Sequence, residues 1–283
     1  MSYRTIPLFL PLPALLASFY IFQLADAGRG IYLQQTIVAA IAFVLCFWFT
    51  TRANTGAQTN SSQRALKALF VTALLLYLPS VLALIKSDPT LAHRLLSLGG
   101  IRIYLAACLL PACLYLIAKI ASNANQRQTL TAAIALILFA LAMQTDAAQA
   151  MAFAGAIAFI IWRSGWTFAQ ITSITVLCIA NLTLAWMREP NIAPVNYVEG
   201  VIQLASSQHL FAGITIGLVA LILPTGLAWI AWKGQQPGIA AAALYYLIIS
   251  ACAFAQLTPM PLLGFGASPI IGYFLLAGLM RRD

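Results

Sequence analysis

Few residues of this 283-residue chain could do chemistry: six Asp and Glu, two His and five Cys stand in a sequence that is 62% hydrophobic and 7% charged. Glu199 and Asp146 are the acids set among suitable neighbours. A carboxylate can take the proton from an attacking hydroxyl. Glu199 follows Tyr197 and precedes the apolar Val201-Ile202, which would let it lie against apolar chain. On its residues alone it is either such a base or a solvated loop acid. Asp146 lies between Gln144 and Gln149, two amides able to hydrogen-bond a sugar or a pyrophosphate. Arg94, Arg102 and Lys86 form a basic group with His93 beside them. Arginine suits bidentate binding of phosphate; equally, these cations could meet anionic lipid headgroups. Either arginine could pair with Asp146, so a salt bridge that fixes helix packing is as good a reading of that acid as catalysis. His209 reads as an interfacial residue beside this set, and Arg188-Glu189 as a local ion pair worth little.

Other chemistries find no support. Cys46, Cys108, Cys113, Cys178 and Cys252 all fall in apolar runs without metal-site spacing, as small hydrophobes do. No phosphate-binding loop, dinucleotide fingerprint, zinc motif or nucleophile elbow occurs, so ATP-driven work by this chain is not expected. The net charge of +9 comes from cations scattered at the ends of apolar runs. There is no aromatic-interleaved basic stripe, so nucleic acid is not an expected partner.

The elements that must position these residues are membrane helices. A soluble domain carries about a quarter charged residues, and runs long enough to cross a bilayer recur along the whole chain. They lie at about 6–25, 31–50, 66–85, 101–120, 130–143, 148–162, 166–187, 209–232, 238–257 and 265–280. The first is too long for a signal-peptide core and lacks a clear cleavage site, so it is read as a span. The expected fold is all-α: one transmembrane bundle over 1–283, with about ten spans, of which the fifth, sixth and tenth are short and need tilting or shielding. The connections at about 86–100, 144–149 and 187–208 fall on one side, and that at 51–65 on the other. With the N-terminus inside, the inner connections carry about twice as many Lys and Arg as the outer ones. Both termini are then cytoplasmic, and Asp26, Asp88, Asp146, Glu189, Glu199, His93 and His209 all face outward. Within the longest outer connection, 196–207 is expected to form a short helix at the membrane surface. The six tryptophans fit an aromatic belt at the span ends, and Pro79, Pro111 and Pro224 lie inside spans.

Four stretches, in order and on the appropriate side, resemble the SEDS family of bacterial shape and division proteins such as RodA and FtsW. Arg94-Leu95-Leu96-Ser97-Leu98-Gly99-Gly100-Ile101 is similar to the family's Arg-Trp loop with its Leu-Gly-Gly turn. Leu95 stands where the tryptophan would be, and Tyr104-Leu105-Ala106-Ala107 where Gln-Pro-Ser-Glu would open the fourth span. Gln144-Thr145-Asp146-Ala147-Ala148-Gln149-Ala150 resembles the family's Gln/Glu-Pro-Asp-Leu-Gly-Thr-Ala. Pro194-Val195-Asn196-Tyr197-Val198-Glu199-Gly200 resembles the loop that holds its catalytic aspartate, with a glutamate in place of that residue. Thr258-Pro259-Met260-Pro261-Leu262, followed by Gly264-Phe265-Gly266-Ala267-Ser268, resembles its Pro-rich and Ser/Gly-rich stretch before the last span. No one motif is intact.

The resemblance implies a ten-span inner-membrane protein that polymerises glycan from lipid II at the outer face. Glu199 would be the base and Asp146 a supporting acid. Arg94, Arg102, Gln144, Gln149, Tyr197 and His209 would bind the substrate. No cofactor is required; a divalent cation would suit the pyrophosphate, although no ligand cluster demands one. The implied partners are membrane lipid, the lipid-linked sugar and a single-span transpeptidase of the class B penicillin-binding type, or another envelope complex. The departures from the motifs leave two other readings open: a catalytically degenerate scaffold or carrier-binding component, and a lipid flippase. Against an ion-coupled carrier, the interior of the spans holds almost no charge.

Overall fold

The computed structural model describes residues 5–52, 61–86, 94–98, 101–187 and 195–281. Lys86's side chain, His93, Gly99, Gly100, Arg188, Glu189 and Pro194 lie outside what is described. Backbone groups in lipid must bond within their own segment, so the apolar runs are helical. They are α1 (Ile6–Phe9), α2 (Leu12–Leu24), α3 (Arg29–Arg52), α4 (Ser61–Lys86), α5 (Leu105–Ile120), α6 (Arg127–Met143), α7 (Ala147–Arg163), α8 (Phe168–Trp186), α9 (Val201–Gln208), α10 (Leu210–Gly234), α11 (Pro237–Phe254) and α12 (Ala267–Met280). Seven helical stretches are long and apolar enough to cross a bilayer, and α5, α7 and α12 are shorter apolar helices beside them. The protein is thus a multi-pass helical membrane protein. Counted as spans, the fourth (α5), sixth (α7) and tenth (α12) are the short ones. The fifth is not, because a 3₁₀ turn at Ala124–Gln126 extends α6 backwards. The fourth span begins late because Ile101–Ile103 is a strand (β2), paired antiparallel with Leu96–Leu98 (β1).

The short helices form the centre. α12 packs on α5 and α3, and α11 on α5, α7 and α10; α4 covers α5 and α6, and α8 leans on α6 and α7. Where α5 crosses α12, a proline and a glycine bear on the same backbone carbonyl. Pro111 lacks the N–H that would bond the carbonyl of Ala107. Gly272 of α12 sits against that carbonyl, where any Cβ would overlap it.

Local signals explain the helix ends. Thr167 and Gln170 form a capping box at the start of α8. α2, α6, α10 and α11 end on Asp26, Thr145, Gln235 and Gln256, each in the left-handed region. The next N–H reaches back five residues, as in Asp146 N to Leu141 O at 3.1 Å and Gln236 N to Ala231 O at 3.1 Å. Trp162, Trp186, Trp229 and Trp232 are exposed as a belt would be, but Trp166 is buried. Its indole N–H bonds Ala121 O at 2.9 Å, which ties two connections together.

Candidate functional site

The β1–β2 hairpin brings Arg94, just before it, over Tyr104, just after it: the guanidinium carbon lies 5.8 Å from the ring centroid. Tyr104 precedes the first residue of α5, and its N–H donates to Ser268 Oγ at 2.8 Å in the first turn of α12. The Tyr104 hydroxyl donates to Asp146 Oδ2. Asp146 caps α7, its Oδ1 accepting from Gln149 N–H at 3.2 Å. The N-termini of α5, α7 and α12 therefore converge, and their aligned dipoles make this a place that favours negative charge.

Glu199 enters from the other long connection. Residues 195–200 wind around one carbonyl, Val195 O, which accepts from the N–H groups of Val198, Glu199 and Gly200. This turn folds the Glu199 carboxylate back so that Oε2 accepts from Val195 N–H at 2.9 Å, while Oε1 lies 3.6 Å from an Arg94 nitrogen. The turn is clamped to the segment before α12 by Met260 N to Val198 O and Phe265 N to Tyr197 O, each 3.0 Å. Gly264 is required there, since a Cβ would overlap Val198 O. The short helix foreseen over 196–207 exists as α9, but it starts at Val201 because this turn takes the first residues.

The result is a nearly dry cluster: Asp146 is 1% and Glu199 4% exposed. Burial pushes the Asp146 carboxyl up from its ordinary range, against the pull of the Arg94 charge, the Tyr104 hydroxyl and the Gln149 N–H. Burial also pushes the Tyr104 hydroxyl well above its ordinary range, as does the neighbouring Asp146 charge, so it remains a donor. At Arg94 burial opposes the charge, but Tyr104, Asp146 and Glu199 more than offset it, and the guanidinium is held as a cation.

Of the residues singled out in the sequence, Glu199, Asp146 and Arg94 meet. Tyr197 is half-buried beside them, its ring 6.3 Å from that of Phe265. Gln149 contributes its backbone N–H, while its side chain accepts from the Tyr245 hydroxyl at 2.5 Å. Gln144 turns away: its amide donates to Leu76 O and ties α6 to α4 in the turn before Pro79. Arg102 is exposed on β2 opposite Ser97, and His209 is exposed where α9 meets α10. Tyr104 and Ser268 are the members that sequence reasoning did not assign. The available signal was a hydroxyl-bearing residue immediately before an apolar run, beside a small polar residue opening another. Among the described residues no group of three or more His, Cys, Asp or Glu could hold a metal ion.

No family model matches the chain, and no curated protein matches it by sequence. Among solved structures it matches the crystal structure of the rod shape determining protein RodA of Thermus thermophilus, with a TM-score of 0.71, 15% identity, and coverage of 99% of this chain and 95% of that one. At this identity the likeness establishes architecture alone: the chain has the fold of RodA, the SEDS plan that its four motif-like stretches resemble.

Proposed function

We propose that this chain is a SEDS-like glycosyltransferase that extends glycan from a polyprenyl-linked sugar of the lipid II type at the outer face of the bacterial inner membrane, with both termini cytoplasmic. The observation that carries the proposal is the Arg94–Glu199 pair, set on Asp146 and Tyr104 where three helix N-termini converge. In this reading Glu199 takes the proton of the acceptor hydroxyl while that oxygen attacks the anomeric carbon. The bond to the pyrophosphate breaks, and the charge that develops there is met by Arg94 and the ends of α5, α7 and α12. Arg94 then has two duties. Pyrophosphate draws the guanidinium away from Glu199, and the carboxylate is released as a base only when donor is bound. Asp146 acts through Tyr104, as a positioning residue. Arg102, exposed on the hairpin, is left to lipid headgroups.

One observation favours a second reading. Both Glu199 oxygens already have partners, Val195 N–H and Arg94, which is what a degenerate scaffold or carrier-binding component would retain. A gradient-driven flippase is weakened, since the described acids Asp26, Asp146 and Glu199 all lie at helix ends rather than within the spans.

Purified protein given lipid II, alone and with a single-span class B transpeptidase, separates these readings. The expected result is polymerisation by the wild type and loss of at least about a hundredfold in Glu199→Gln, the scale of one general base. Unchanged polymerisation in that variant removes the base assignment. An inactive wild type under both conditions gives the scaffold.

A further inference from the structure

We propose that the groove between α7, α10 and α11, at the end of the bundle opposite Glu199, binds one anionic phospholipid from the surrounding bilayer. Its shape follows from the packing. α11 packs closely on both α7 and α10, whereas those two make no comparable contact with each other. They stand as walls over a floor made shallow-sided by Ala240 and Ala243, and enclose a cavity of about 700 Å³. That volume lies within the range of small-molecule sites. Its depth is apolar, with Phe159 on one wall and Leu247 farther along α11, which suits an acyl chain.

The mouth is different. Arg163 stands in the last turn of α7, and Trp162 and Trp232 on either side are 75% and 72% exposed, as rings at a headgroup boundary are. The turn from Gln235 to Pro237 closes the end, and the Gln236 side-chain oxygen is buried there without a donor. A headgroup hydroxyl would supply one.

Charge selects the lipid. Lys119, Arg127, Arg163 and Lys233 lie at this end, and no described acid does. A second hollow, of about 280 Å³, on the other side of the same turn is lined by Lys119. Basic pockets between membrane helices favour anionic headgroups. Phosphatidylglycerol combines the negative phosphate for Arg163 with a hydroxyl for Gln236.

The test uses the whole protein in neutral detergent, given phosphatidylglycerol or phosphatidylcholine of identical chains, with native mass spectrometry and thermal unfolding as readouts. We expect one phosphatidylglycerol retained, and Tm raised by about 3–5 °C more than by phosphatidylcholine. Arg163→Gln, a surface change that folding tolerates, should lose at least half of both effects, and Arg163→Lys should keep most of them. Ala240→Leu should reduce retention of either lipid. Equal retention of the two lipids by the wild type, or undiminished preference in Arg163→Gln, overturns the proposal. So does finding a single-span protein helix cross-linked in the groove in place of lipid. Glu199 lies at the other end, so lipid retention and polymerisation fail independently.

Discussion

Replacing Arg94 should destabilise the protein more than any other single change at the site, because one guanidinium serves two buried carboxylates. The Arg94–Glu199 separation of 3.6 Å corresponds to about 5 kcal/mol at an effective dielectric of 20. The side chains are 13% and 6% exposed, so solvent screening takes only part of this. Truncating Arg94 also strips the charge that opposes the burial of Asp146 and breaks the 3.4 Å bond to Leu257 O. Removing one member of a buried pair costs roughly 3–5 kcal/mol, and Arg94→Gln should fall in that range. Glu199→Gln should cost less, about 2 kcal/mol, because Arg94 keeps Tyr104 and Asp146 as partners. In the double variant no charge is stranded at Glu199, so its cost should be smaller than the sum by roughly 1–3 kcal/mol. Reversible unfolding by SDS in mixed micelles gives the four free energies. A cost below 1 kcal/mol for Arg94→Gln, or strictly additive costs in the double variant, would refute the shared-cation reasoning.

The other outcomes follow from single contacts. Asp146 holds its proton more tightly folded than unfolded, so wild-type stability declines as pH rises from the ordinary carboxyl value of about 3.9 through the raised one. Asp146→Asn escapes this, and its Tm relative to wild type should climb as pH rises above about 4; a flat difference contradicts the burial argument. Gly264→Ala should push Val198 O and the Glu199 turn aside, which lowers Tm and costs any polymerase activity at least about tenfold, as misplacement of a reacting group does. Gly272→Ala should cost about 1–3 kcal/mol by overpacking against Ala107 O. Gly217→Ala, with open space around the new methyl group, should be near neutral in the same unfolding assay.

The spans were readable because lipid leaves the backbone no alternative to helix, so apolar length alone marks them. What was not readable has a physical cause in each place. Residues Ile101–Ile103 look like the start of a helix; only their pairing with Leu96–Leu98 makes them strand. Four helices reverse on Asp26, Thr145, Gln235 and Gln256 rather than on glycine, so the usual stop signal is absent. Glu199, Asp146 and Arg94 stood out as polar exceptions in an apolar chain. Gln144 stood out equally, yet it serves Leu76, a residue 68 positions away, and no local pattern shows such a contact. Tyr104 was hidden for the opposite reason: it stands where the family resemblance would place another residue, so it read as a departure rather than a participant.

The central helices carry one further consequence. α5, α7 and α12 have 16, 17 and 14 residues, about 21–26 Å of helix against a hydrocarbon layer of about 30 Å. Lys119, Arg163 and Arg281 stand at their far ends; cations there favour the membrane boundary, which would put the missing length at Tyr104, Asp146 and Ser268. With those ends held there, the cluster would lie several ångströms below the level of the neighbouring lipid heads. Under the proposed function, a reactant tethered to the bilayer would arrive there by sliding sideways within the leaflet. A freely diffusing sugar nucleotide would have to descend into it from bulk water.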